Sequence, residues 1–208
     1  MKFVSCLFAL TLPLSAAINI TLPGSTESST WVLNSTNYTP PDYPAGFAGP
    51  VSAWGAAAAP TSGSSSALLN KVAGGGGFFP TYMYTEGTIG SFRLYDDNPL
   101  ASLQTLVFQG NLSADVAPVL NINGGAQSIA ATYFYQSEIP GYDDFAYQWD
   151  LSAAGPITSY EILFSGHFAV TSLKVDTGSS FSQVVPEPSS LLLGCSALAF
   201  TLIRRRRA

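Results

Sequence analysis

The stretch Phe145-Ala146-Tyr147-Gln148-Trp149-Asp150-Leu151 places apolar or aromatic side chains at every odd position and small or polar ones at every even position. A period of two is the signature of a strand with one buried face, so Phe145, Tyr147, Trp149 and Leu151 are expected to point into a core. Working outward, Tyr160, Ile162 and Phe164 repeat the pattern. Ile129, Ala131, Tyr133 and Tyr135 also share one parity, with Phe134 on the opposite face. Phe168 and Val170 sit on one parity and Leu173 and Val175 on the other, which predicts a bulge near Thr171-Ser172. Asn123-Gly124-Gly125 joins two such runs as a tight hairpin does.

Strand-like runs recur at 78–85, 90–96, 103–113, 117–123, 126–137, 144–152, 157–165 and 167–176. No helix alternates with them, so the expected fold is all-β: an antiparallel β-sandwich of jelly-roll type. Residues 18–62 read as long loops with short strands at 18–22 and 30–33, broken by Pro23-Gly24 and Pro40-Pro41. One short helix is expected over 64–72, where serines offer N-caps and Gly74 to Gly77 forbid continuation. The glycine run is not a nucleotide-binding loop, because no Gly-Lys-Ser/Thr follows it.

The 208 residues are 47% hydrophobic, 12% aromatic and only 10% charged, which fits one ordinary domain and not a disordered chain. So few bases exclude a nucleic-acid partner, which needs a phosphate-neutralising surface. Residues 1–17 read as a signal peptide: Lys2, an apolar run from Phe3 to Leu14, then small Ser15-Ala16-Ala17, with the mature chain expected from Ile18. At the other end Pro186-Glu187-Pro188 leads into fifteen uncharged residues, 189–203, and then Arg204-Arg205-Arg206-Arg207. That order is a stop-transfer arrangement, with an expected C-terminal transmembrane helix over 189–203. Fifteen helical residues reach only about 22 Å against a hydrocarbon core of about 30 Å, so the span suits a temporary anchor. The arginines resist translocation and keep the tail cytoplasmic.

These three parts resemble the tail of the PEP-CTERM proteins of Gram-negative bacteria. The resemblance implies sorting by an exosortase, a membrane-embedded cysteine transpeptidase acting near Pro186, Glu187 and Pro188, with Arg204, Arg205, Arg206 and Arg207 as the basic end of the signal. It further implies transient inner-membrane anchoring, then residence at the cell surface or in an exopolysaccharide matrix. The segments around Trp149-Asp150-Leu151, 157–164 and 168–176 also look similar to the closing strands of exported β-sandwiches carrying this tail, some resembling carbohydrate-binding jelly rolls.

With both ends set aside, the body at 18–185 keeps three bases (Lys71, Arg93, Lys174) and twelve of the thirteen acids, a net charge near −9. That charge disfavours anionic polymers and favours neutral glycans or cation-mediated contacts. Cys6 and Cys195 both lie in the end segments, so the body has no thiol site.

Catalysis finds little support. His167 is the sole imidazole and lacks a Gly-x-Ser-x-Gly elbow, and one histidine without cysteines is a poor zinc set. Glu86, Glu138, Glu161 and Asp150 are nominal glycosidase acids, but nothing in the pattern pairs them. Hard oxygen ligands at Asp96, Asp97, Asp143 and Asp144 are candidates for a structural Ca2+. Aromatic residues give the better hint, because Trp and Tyr combine an apolar face with a hydrogen-bonding tip that suits sugar rings. Trp31, Trp54, Tyr82, Tyr84 and Phe134 are the candidate platform. The leading expectation is a non-catalytic exported protein with a structural or adhesive role in exopolysaccharide or biofilm. A glycan-binding module and a polysaccharide-modifying hydrolase are the alternatives.

Overall fold

The computed structural model describes residues 22–46, 54–85, 87–112, 116–136 and 144–184. The expected signal peptide at 1–17, Pro186-Glu187-Pro188, the expected transmembrane helix at 189–203 and Arg204 to Arg207 lie outside the described residues. Among the described residues no helix is long and apolar enough to cross a membrane.

The described residues form thirteen strands: β1 (Thr26–Val32), β2 (Ser62–Gly63), β3 (Leu68–Ala73), β4 (Gly77–Phe78), β5 (Met83–Tyr84), β6 (Gly90–Asp96), β7 (Thr105–Leu112), β8 (Val119–Ile122), β9 (Gln127–Ile129), β10 (Tyr133–Gln136), β11 (Asp144–Asp150), β12 (Tyr160–Gly166) and β13 (Ala169–Gly178). They form two sheets. Sheet A runs β10-β11-β7-β13-β1-β2, with β5 paired to β13 and β4 to β5; sheet B runs β3-β6-β12-β8-β9. Every strand pair is antiparallel.

Parity decides which side chains meet between the sheets. The pairing Trp149↔Leu106 and Tyr147↔Phe108 aligns the odd positions of β11 with the apolar face of β7. Phe145, Trp149 and Leu151 are buried, and Tyr147 packs half-buried against the same cluster. From sheet B, Phe92, Leu94, Tyr160, Ile162 and Phe164 close the core. Phe108 and Phe164 touch across the two sheets with ring centroids 5.2 Å apart. The predicted bulge in β13 falls between Val170 and Ser172, and it is the irregularity that lets Val170 and Leu173 both face inward. Asn123, Gly124 and Gly125 all take positive φ (53°, 69° and 87°) in the turn between β8 and β9, the left-handed backbone that this sequence tolerates.

Two expectations need correction. The segment 64–72 is not a helix: Leu68–Ala73 is strand β3, paired with β6. Leu69 and Lys71 point inward and are buried, a period-two pattern that the short run Ala67-Leu68-Leu69 conceals. The buried Lys71 ammonium donates to Gly74 O at 3.1 Å, and desolvation lowers its pKa. The run 126–137 is not one strand but two, β9 in sheet B and β10 in sheet A. Crossing between sheets reverses the faces, so Tyr133 and Tyr135 turn to the outer face of sheet A, opposite Gln148 and Ala146. Phe134 pairs with Tyr147 on the inner side instead, where the sheet edge leaves it 49% exposed.

Candidate functional site: an aromatic surface at the β4–β5 turn

Alternation across a short hairpin builds the most distinctive surface feature. Phe78 and Met83 point inward and are buried, so Phe79, Tyr82 and Tyr84 project outward. Phe79 N–H donates to Tyr82 O at 2.7 Å, which closes the turn through Pro80-Thr81. The rings of Phe79 and Tyr82 stack at 4.9 Å and 15°, and Tyr84 stands edge-on to each of them at 6.5 Å.

The pairing Tyr84↔Ala169 brings the β12–β13 turn alongside, and with it His167. The Tyr84 hydroxyl and His167 Nε2 are 3.2 Å apart, and the two rings are 5.3 Å apart. Behind them Thr85 clasps Phe168 three ways: its N–H and Oγ1 both donate to Phe168 O, and Oγ1 accepts from Phe168 N–H at 2.8 Å. The result is four rings on a rigid base, carrying hydroxyl and imidazole groups at one side. Such a surface can stack on apolar faces of a ligand and hydrogen-bond its polar rim.

Of the five aromatic residues expected to form a platform, only Tyr82 and Tyr84 meet. Contrary to that expectation, Trp31 and Trp54 are core residues, 0% and 5% exposed, and offer no ring face to a ligand. The Trp31 indole donates to Ala58 O at 2.9 Å and that of Trp54 to Gly76 O at 3.2 Å, so both polar tips are used internally. Phe134 lies elsewhere, on Tyr147 at 4.6 Å. Sequence reasoning missed Phe79 and His167 as members. The signal for Phe79 was its alternation with Phe78, whereas His167 joins only through the pairing of distant strands.

The candidate calcium residues do not converge. Asp96 is buried, and its Oδ1 accepts from Ser66 Oγ at 2.7 Å and from Asn98 N–H at 2.9 Å, the bonds of a turn cap. Asp97 is exposed beside it, Asp143 lies outside the described residues, and Asp144 Oδ1 accepts from Asn111 at 3.1 Å. Asp96 pairs with the first residue of β12 and Asp144 with the far end of β7, which puts them at opposite ends of the sandwich. Among the described residues no three His, Cys, Asp or Glu side chains gather as a metal would require.

Two of the four nominal acids are likewise spent on structure. On the outer face of sheet B, Glu161 takes Arg93 Nε at 2.6 Å and Asn121 Nδ2 at 3.0 Å. These three line a shallow polar recess of about 120 Å³ with Asp97, Gly124 and Ser159. Asp150 Oδ1 accepts from Ser152 N–H. Glu86 and Glu138 lie outside the described residues.

Residues 184–207 match the PEP-CTERM protein-sorting motif, so the C-terminal segment is a sorting signal of that kind and marks an exported protein sorted at the cell envelope. No curated protein matches the chain in sequence. Among solved structures it is similar to a CBM29-2 mutant studied for ligand recognition by Family 29 Carbohydrate Binding Modules, at 12% identity over 74% of this chain and 87% of that one, with a TM-score of 0.32. A CBM29-2 mutant complexed with mannohexaose gives 13% identity, 73% and 93% coverage and a TM-score of 0.31. A structure described as carbohydrate binding module family29 gives 13% identity, 73% and 90% coverage and 0.30.

Proposed function

We propose that this chain is a non-catalytic component of the cell envelope or extracellular matrix of a Gram-negative bacterium. It is sorted by an exosortase through its C-terminal motif, and its jelly-roll-like body holds neutral glycan. The observation that carries this reading is the sorting motif at 184–207. Its Pro186-Glu187-Pro188, uncharged span and Arg204 to Arg207 stand in the order that a membrane-delivered signal requires.

The aromatic surface supports the adhesive half. Ring faces at Phe79, Tyr82 and Tyr84 offer the apolar contact that the C–H face of a sugar provides, and Tyr84 with His167 supplies polar groups at the rim. A body near −9 repels anionic chains, so the ligand class is neutral polysaccharide. A structural rather than catalytic role agrees with the use of Glu161, Asp96 and Asp150 in internal bonds.

In a host with an exosortase, replacing Pro186, Glu187 and Pro188 by alanine leaves a longer, membrane-retained product on immunoblots of fractionated cells. A mature mass unchanged by the triple substitution refutes the sorting reading.

A further inference from the structure

Sheet A has an outer face that is not open. Residues 181–184 lie across it and are held by side chains rather than by a neighbouring strand. Gln148 is fully buried there; its Nε2 donates to Ser182 O at 2.8 Å and its Oε1 accepts from Val184 N–H at 3.0 Å. Tyr135 donates its hydroxyl to Val184 O. Phe181 stacks on Tyr133 at 6.3 Å and 11°, and Val184 packs on a small apolar cluster of Leu22, Val107, Ala146 and Tyr135. One glutamine thus reads the backbone of alternate residues as an adjacent strand would.

The position of this clasp in the sequence is what gives it meaning. Val184 is the first residue of the sorting motif, and Pro186 follows two residues later. Both backbone hydrogen-bonding groups of Val184 are already taken by the body. An enzyme that grips an extended segment does so largely through those groups.

We propose that the docked segment is a latch on sorting: the machinery engages residues 184–207 only when 181–184 leave the sheet. Undocking frees both groups of Val184 and releases roughly 13 Å of extended chain ahead of Pro186. This rests on the sorting reading above. It makes Gln148 and Tyr135, which are remote from the motif in sequence, the residues that set how fast the protein is processed.

The test is a pulse-chase of precursor to mature form in a host with an exosortase. Tyr135→Phe removes one clasp bond while keeping the ring, and is expected to speed conversion roughly two- to tenfold, the population shift of one net hydrogen bond. Hydrogen exchange at the Val184 amide rises in parallel. Inserting six Gly/Ser residues between Val184 and Val185 supplies free chain without undocking; it is expected to speed conversion and to abolish the effect of Tyr135→Phe. Unchanged conversion in both proteins overturns the latch. Slower conversion in Tyr135→Phe also overturns it, because the docked segment would then be part of what is recognised. The alanine triple substitution separates the two failures: if it still blocks processing while the latch variants do nothing, sorting stands and the latch falls.

Discussion

Tryptophan and tyrosine carry opposite expectations in this sandwich, and a paired substitution exposes the difference. Trp31→Ala empties a fully buried site and removes the indole bond to Ala58 O. The Ala58 carbonyl keeps Leu69 N–H at 3.0 Å, so the loss is mainly packing. A buried Trp→Ala change costs about 3–5 kcal/mol. Domains of this size hold about 5–15 kcal/mol in total, so the variant sits near the edge of unfolding. Tyr82→Ala with Tyr84→Ala removes two half-buried rings whose neighbours are mostly each other, Phe79 and His167. If each ring contributes about 0.5–1.5 kcal/mol to a stacked sugar, the double variant loses roughly 5- to 150-fold in affinity.

The assay pairs retention on the producer's neutral exopolysaccharide with urea denaturation of each protein. The expected result is a large midpoint shift with no ligand-specific defect for Trp31→Ala, judged under conditions where it is folded. For the tyrosine pair, binding falls while the midpoint stays near that of the parent. Wild-type retention by the Tyr82/Tyr84 double variant refutes the stacking argument.

Burial raises the pKa of Asp176, partly offset by Lys174 and by the Gln109 side chain that donates to it at 2.6 Å. A raised folded-state pKa gives stability that is full below the ordinary carboxylate pKa and is lost as pH rises through the folded value. Wild-type stability should therefore fall with pH across that window relative to Asp176→Asn, and superimposable urea profiles would contradict it. Asp96→Ala, which strips the bonds from Ser66 and Asn98, is expected to cost about 1–3 kcal/mol by thermal unfolding in chelator. If that cost appears only with Ca2+ present, an ion and not the turn cap is responsible.

Much of the sandwich could be read from the chain because its strands alternate cleanly. The buried faces of β11 and β12 and the bulge in β13 follow from which parity is apolar. What escaped was governed by pairing. β3 looked like a capped helix because two leucines stand side by side, and only its partner β6 shows that one faces out. The faces of Tyr133 and Phe134 depend on a crossing between sheets at 130–132, which no local pattern encodes. At the site, hydrophobicity alone could not separate Trp31 from Tyr84. Their difference lies in which strand covers them, a property of the assembled sheets. The clasp of Gln148 on Val184 joins residues 36 apart and leaves no trace in spacing.

Strand β13 has one further consequence. Its first residue, Ala169, lies beside Tyr84, and its last, Gly178, leads into the segment that ends in the sorting motif. A pull at the aromatic surface against a chain held beyond Gly178 would therefore load this ten-residue strand, about 33 Å long, end to end. Flanked by β1 on one side and β7 on the other, it would meet that load in shear. Both ladders would resist together instead of opening one bond at a time.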